Sequence, residues 1–147
     1  MLGSLYAKTT HEILSHLASV AEALNPGGLY LLDWCVNFQW DEVIGEQIWT
    51  IEKEGVKVDV KFMNEGVVDR LAQTWKNKII VEVDDHGRIF HLENIEVSRM
   101  IFPQEFLLLI EKSGLFEFIG GWNNWNMAEP IEVARGIERP ITLIRRL

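Results

Sequence analysis

The side chains with the most reactive groups in this 147-residue chain are four histidines and one cysteine. His11 and His16 lie on different faces of a predicted helix, whereas a helical metal pair needs i, i+4 spacing. His86 falls in a predicted turn, and His91 follows the solvent-facing pattern of a predicted strand. A single cysteine, Cys35, excludes an internal disulfide and a cysteine-based zinc site. Its apolar neighbours indicate a small buried side chain, and we predict no metal site.

Neither a serine-hydrolase motif nor a nucleotide loop is visible. The pattern G-x-S-x-G is absent, so nothing supports a Ser-His-Asp hydrolase. Glycine pairs occur at Gly27-Gly28 and Gly120-Gly121, but neither pair opens a helix after a strand. Phosphate and adenosine sites need that geometry, because a helix N-terminus offers free N–H groups. We therefore predict no cofactor-binding residues in this chain.

Charge and hydropathy exclude two classes of partner. The net charge is −8 and is spread along the chain, which argues against nucleic acid, since a nucleic-acid binder needs a basic face. No apolar run approaches the ~20 residues of a membrane span, and the N-terminus lacks a basic region followed by an apolar one. We expect a cytoplasmic protein. The six tryptophans indicate core packing, with some lining a pocket or an interface.

The first elements are a helix and a buried strand. Thr9 to Glu12 fits a capping box, and apolar residues follow it at helical spacing. "NPGG", residues 25–28, ends this helix. Leu29 to Val36 is apolar on both faces, as in a central strand covered on both sides.

The rest of the chain is mostly strand. Trp49 to Met100 predicts three or four antiparallel strands, one of them from Leu71 to Val83, with a hairpin turn at residues 85–87. A helix begins at Pro103 and ends at Ser113-Gly114. A strand from Leu115 to Trp122, a loop "NNWNMAEP" and a last strand from Arg139 to Leu147 complete the pattern. We predict one domain over residues 1–147, comprising helix and central strand (1–36), antiparallel insertion (45–100), and helix with the last two strands (101–147).

This order resembles the C-terminal half of a class I S-adenosylmethionine (SAM)-dependent methyltransferase of the small-molecule type. "MLGSLYAKTTHEILSHLASVAEALNPGGLYLLD" is similar to the family's post-strand-4 loop, helix D and strand 5. "WKNKIIVEVDDHGRIFHLENIEVSRMIFPQEFLLLIEKSGLFEF" is similar to an inserted sheet and the next helix. "FIGGWNN" fits strand 6, and "RPITLIRRL" fits the last, antiparallel strand.

The resemblance implies an α/β fold with α+β character, in which a partial Rossmann-like sheet (strands 5-7-6) carries an inserted antiparallel sheet. The family's glycine-rich turn after strand 1 and its acidic residue after strand 2 have no counterpart here. SAM is the cofactor of the parent family. We expect this chain not to bind it alone.

The resemblance also suggests substrate-binding residues, while the catalytic residues stay unknown. In the family, the loop after strand 4 and the end of strand 5 face the reacting centre, and the inserted sheet often forms a substrate lid. The matching positions are Gly3, Ser4, Leu5, Tyr6, Asp33, Trp34, Trp75, Arg99 and Trp122. Other interpretations stay open: Ser4 and Tyr6 in a frayed terminus, Asp33 as a surface carboxylate, and Arg99 in a structural salt bridge.

By comparison with the family, strands 1 to 3 and most of strand 4 are absent, and this absence predicts a partner. Strand 5 would leave an apolar edge, which we expect a second copy or a separate N-terminal polypeptide to cover. Three functions compete: a methyltransferase for a small-molecule acceptor that is inactive alone, a non-catalytic homodimeric ligand-binding or interaction module of the same fold, and an unrelated α+β ligand-binding domain. A sheet order other than strand 5, last strand, strand 6 would favour the third.

Overall fold

The computed structural model describes residues 7–38 and 45–147. Their strands form two four-stranded sheets, in the orders β1-β8-β6-β7 and β2-β3-β4-β5. The elements in chain order are α1 (Thr10–Ala23), β1 (Leu29–Asp33), β2 (Gly45–Lys53), β3 (Val56–Asp69), β4 (Thr74–Asp85), β5 (Arg88–Arg99), α2 (Pro103–Ser113), β6 (Phe116–Asn123), β7 (Asn126–Pro130) and β8 (Pro140–Arg146). The predicted fold class is confirmed.

Both predicted helices form. The Glu12 N–H donates to the Thr9 hydroxyl at 3.2 Å, and the Thr9 N–H donates to the Glu12 carboxylate at 2.8 Å. This is the predicted capping box. At the end of α2, Gly114 has a φ of 62°, the left-handed conformation that favours glycine after a helix. Neither helix within the described ranges is long and apolar enough to cross a membrane.

The "NPGG" segment connects α1 to β1 and forms hydrogen bonds with the last residue of β8. The Gly27 N–H donates to the carbonyl of Arg146 at 2.9 Å, and the Arg146 N–H donates to the carbonyl of Gly28 at 2.8 Å. A Cβ on Gly28 would lie 2.7 Å from the carbonyl oxygen of Asn25, so only glycine fits there. The segment ends a helix and begins a strand, as predicted.

The order β1-β8-β6 is the predicted order of strands 5, 7 and 6. The predicted extent of the first strand, Leu29 to Val36, was too long, because β1 ends at Asp33. Trp34 leaves the extended conformation with a φ of 55°, and its N–H donates to the carbonyl of Pro140 at 2.8 Å. Val36 is nevertheless buried, which explains the apolar run.

The predicted loop "NNWNMAEP" was wrong, because it contains a turn and the strand β7. Asn124 and Trp125 have φ values of 53° and 60°, and Asn123 pairs with Asn126 across them. Two consecutive residues with positive φ form the tight turn that suits a hairpin. The usual sequence mark of that turn, Asn-Gly, is absent here.

The two faces of the first sheet differ. The helices cover one face, where Leu32, Phe116 and Ile144 pack with the buried stripes of α1 and α2. On the opposite face Leu29 is exposed, and Leu143 and Trp122 are half-buried. We call the surface formed by Leu29, Leu143 and Trp122 the open face. These three side chains are apolar, and the exposed ion pair of Arg145 with Glu117 lies beside Leu29 on the same face.

Strands β2 to β5 belong to a second compact unit, separate from the unit that contains both helices and the first sheet. Its strands are antiparallel, as predicted, and the predicted turn lies at His86 and Gly87, both with positive φ. The predicted strand from Leu71 to Val83 was misplaced, because β4 begins at Thr74. The Asp69 carboxylate accepts the Leu71 N–H at 2.8 Å and holds a turn before it.

Candidate functional site

Three predicted site residues come together at one edge of the first sheet. Strands β1 and β6 are each antiparallel to β8, which lies between them, so their carboxyl ends point to the same edge. Asp33 and Trp122 both pair with Ile141, so their side chains share a face. Trp34 follows Asp33 directly. Ligands of α/β sheets bind at the carboxyl ends of strands, and this edge is therefore the candidate site.

Asp33 forms a two-point ion pair with Arg139. Its side chain is only 1% exposed, and its carboxylate accepts from Arg139 Nε at 2.9 Å and from Nη2 at 2.6 Å. The hydrogen bond that Arg139 donates to Asp33 raises the pKa of Arg139. Because both carboxylate oxygens are engaged, Asp33 orients the guanidinium. The carboxylate is buried, which differs from the surface position that the sequence left open.

Arg139 is the most useful binding group at this edge. Its side chain is 44% exposed, and its remaining N–H groups have no partner within residues 7–38 and 45–147. A guanidinium fixed on one side can offer its other donors to a carboxylate or phosphate. Arg139 was not predicted from the sequence, since its only local signal is a charged residue before the proline that begins the last strand.

Asn123 fixes the segment that carries Arg139. Its Oδ1 accepts from the backbone N–H groups of Glu138 at 3.0 Å and Arg139 at 3.3 Å. Its Nδ2 donates to the carbonyl of Gly136 at 2.9 Å. A buried amide needs such partners. This role was not predicted from the sequence either, because Asn123 fell in the predicted loop.

Two tryptophans lie on the same strand ends as the ion pair. Trp34 is exposed and keeps a positive φ, a conformation uncommon for bulky residues and enriched at functional sites. The Trp122 indole lies over Gly120, where a Cβ would come within 2.9 Å of Cη2. One cation and two tryptophans are thus found at the same end of the sheet.

Arg99 and Trp75 lie elsewhere. Arg99 forms an ion pair with Glu105 in the first turn of α2, and its Nη1 donates to the Thr10 hydroxyl at 3.2 Å. The structural salt bridge considered from the sequence is therefore present. Trp75 is buried in β4 of the second unit. Four predicted residues lie outside the described residues: Gly3, Ser4, Leu5 and Tyr6.

A further polar pair joins α1 to β1. His16 Nε2 and the Tyr30 hydroxyl are 2.9 Å apart. Burial lowers the pKa of His16, and burial, with a smaller effect of Cys35, raises the pKa of Tyr30 to about 12. Both side chains are therefore neutral at pH 7. In the part of the chain that the structure describes, no group of three or more His, Cys, Asp and Glu residues could hold a metal ion.

No protein-family model and no curated protein matches this chain. Solved structures do match. DesVI from Streptomyces venezuelae has a TM-score of 0.69 and 19% identity, with 100% of this chain and 56% of that chain covered. A SAM-dependent methyltransferase from Clostridium acetobutylicum has a TM-score of 0.67 and 15% identity, with 95% and 53% covered. CalS10, a SAM-bound amino pentose methyltransferase from Micromonospora echinaspora, has a TM-score of 0.60 and 16% identity, with 95% and 52% covered.

These identities establish the fold alone. The chain spans about half the length of the solved structures that it matches. The antiparallel β8 between β1 and β6 matches the strand 5-7-6 order that the sequence resemblance implied. The chain therefore has the fold of the C-terminal half of a SAM-dependent small-molecule methyltransferase.

Proposed function

We propose that this chain is the acceptor-binding half of a SAM-dependent methyltransferase for a small molecule, and that methyl transfer requires a second half with the glycine-rich cofactor turn. The observation that carries the proposal is the sheet order β1-β8-β6, in a chain that matches about half of each methyltransferase over at least 95% of its own length.

The described residues do not fit the cofactor. Neither helix begins in a glycine turn after a strand, and an acidic side chain already occupies each helix N-terminus. Glu12 accepts the N–H groups of Lys8 and Thr9, each at 2.8 Å, and Glu105 accepts the N–H of Phe102 at 3.4 Å. A second anionic group at either terminus would meet a carboxylate. We therefore derive no step that involves SAM from these residues.

The open face supports a requirement for a second half. Leu29, Leu143 and Trp122 are apolar side chains on the sheet face opposite the two helices, which also carries the Arg145–Glu117 ion pair. Exposed apolar side chains grouped on one face are typical of an interaction surface. We assign the open face to elements of the cofactor-binding half, because the matched methyltransferases are about twice as long as this chain.

The candidate site supports an acceptor with a ring and a negative charge. Arg139 offers guanidinium donors to an anionic group, while Trp34 and Trp122 offer apolar ring faces. CalS10 is an amino pentose methyltransferase. We propose that the acceptor here is an amino sugar that carries an anionic substituent.

Calorimetry and mass spectrometry test this proposal. The isolated chain should give no heat with SAM, whereas a chimera of the CalS10 cofactor half and this chain should bind SAM. The chimera should add one methyl group to an amino sugar phosphate. Arg139→Lys keeps the charge but loses the two-point geometry, so KM should rise with little change in kcat. Arg135→Lys, at an exposed position on the same connection, is the matched control.

Two results would contradict the proposal. SAM binding by the isolated chain would show that no second half is needed. A folded chimera that binds SAM but methylates no amino sugar would reject the acceptor class and favour the non-catalytic homodimeric module.

A further inference from the structure

Two exposed tryptophans at the candidate edge have a backbone conformation that their side chains disfavour. Trp34 and Trp125 have φ values of 55° and 60°, in the left-handed region. Six non-glycine residues of the described chain have a positive φ, and the other four are polar. This conformation is an outlier for a bulky residue, and such outliers cluster at functional sites.

Core packing does not account for either side chain. Trp34 is 48% exposed and Trp125 is 47% exposed. At about 250 Å² for an indole side chain, each exposes on the order of 120 Å² of largely apolar surface. Trp125 also occupies the second position of the two-residue turn between β6 and β7, where glycine is usual. Neither the core nor the turn therefore explains a tryptophan at this position.

The backbone at both tryptophans is hydrogen-bonded to the segment that carries Arg139. The Trp34 N–H donates to the carbonyl of Pro140 at 2.8 Å, and the N–H of Asn124 donates to the carbonyl of Arg139 at 3.0 Å. The turn is held a second time by Asn124 Nδ2, which donates to the Glu138 carboxylate at 2.5 Å. Since β1 and β6 lie on the two sides of β8, these bonds place the two tryptophans on opposite sides of the start of that strand.

The spacing of the strands leaves room for one ring. Neighbouring strands are about 4.8 Å apart, so the backbones of β1 and β6 are about 10 Å apart. A ring in van der Waals contact on both faces needs roughly 7–8 Å between the two planes that cover it. Two indoles on these strand ends can therefore hold a single six-membered ring, and Arg139 directly precedes the strand between them.

We infer that Trp125 is a specificity-determining residue of the acceptor site: its indole and that of Trp34 contact the two faces of the acceptor's ring while Arg139 binds its anionic group. The inference rests on the proposed function, because it concerns the same acceptor. It adds that the ring must have two apolar faces. A pyranose with equatorial hydroxyl groups meets this requirement, whereas an axial hydroxyl group would be buried against an indole without a hydrogen-bond partner.

Fluorine NMR of the full chain labelled with 5-fluorotryptophan tests the inference. Titration with glucosamine 6-phosphate should move the resonances of Trp34 and Trp125, assigned from their Phe variants, along one binding curve. Galactosamine 6-phosphate, whose 4-hydroxyl group is axial, should bind about tenfold more weakly. Inorganic phosphate has the charge without the ring and should leave the Trp125 resonance in place.

Trp125→Gly separates binding from folding. The change gives Asn-Gly, the preferred sequence for this turn, so the hairpin should persist and circular dichroism should be unchanged. The Kd for glucosamine 6-phosphate should rise about tenfold, and the preference over the galactosamine epimer should decrease. Trp125→Phe keeps a ring and should restore most of the affinity. Glu54→Gly, at an exposed position of the second unit with a φ of 53°, is the matched control and should leave the Kd unchanged.

A saturable shift at Trp34 without one at Trp125 would overturn the inference, as would an unchanged Kd in Trp125→Gly. The same holds if neither resonance responds at sugar phosphate concentrations on the order of 10 mM. Failure of the proposed function gives a different result. A chimera that binds SAM and transfers no methyl group leaves the binding curve of the isolated chain as it is, whereas loss of that curve leaves SAM binding by the chimera unaffected.

Discussion

Removing Arg139 from the Asp33–Arg139 pair should cost more unfolding free energy than removing the charge of Asp33. Arg139→Met leaves a carboxylate, 1% exposed, without its partner. Breaking a buried pair costs about 3–5 kcal/mol, and we expect about 3 kcal/mol because Arg139 is half exposed and its charge is screened. Asp33→Asn should cost only about 1.5 kcal/mol of unfolding free energy, because the Arg139 side chain can turn to water and can still donate to the amide oxygen of the asparagine. The double variant buries a neutral amide and should lose about 2 kcal/mol in total.

Asp33→Asn should therefore stabilise the Arg139→Met variant although it destabilises the wild type. Urea unfolding, followed by circular dichroism, measures the four free energies. Since a chain with two units need not unfold in one step, amide exchange in β8 locates the change in the first sheet. Arg145→Met is the matched control, because Arg145 pairs with Glu117 on the same sheet with both side chains exposed, and it should change stability little. Additive losses in the double variant would refute the reasoning.

Three further predictions concern single side chains. Gly120→Ala should displace the Trp122 indole, 2.9 Å from the new Cβ, shifting tryptophan emission and costing about 1 kcal/mol of unfolding free energy in a urea titration. Burial lowers the pKa of His16, so the contribution of this side chain to stability is complete above the ordinary histidine pKa and is lost as pH falls below about 6.5. His16→Gln should therefore weaken the dependence of the thermal midpoint on pH between about pH 5 and 7. An unchanged pH dependence would contradict this. Thr9→Ala removes the helix cap and should cost about 1 kcal/mol, with Thr9→Ser as the variant that restores it.

Much of the fold could be predicted because its signals are local. The capping residues, the helical apolar stripes and the turn at His86-Gly87 depend on near neighbours, and each predicted element formed. The first and last residues of a strand were harder to predict where a single side chain or a single dihedral angle determines them. Asp69 holds a turn inside the predicted strand from Leu71, and Trp34 ends β1 by adopting a positive φ.

The candidate site could be predicted only in part. Asp33, Trp34 and Trp122 were selected because the resemblance places them at the ends of strands. Their partner Arg139 is 106 positions from Asp33 in the sequence, and no local pattern reports which strands become neighbours. The roles of these residues in binding an acceptor stay predictions.

The order of the elements also affects how the chain folds. The second sheet is built from strands that follow one another, so short turns bring its pairs together, whereas Leu29 must find Arg145 across the whole insertion. Pairing across such distances slows folding, since the loop must close before the contacts form. Among the described residues β1 pairs with β8 alone, so this pairing forms only after β8 has left the ribosome. The half of the first sheet that leaves the ribosome before the insertion is therefore completed only after it.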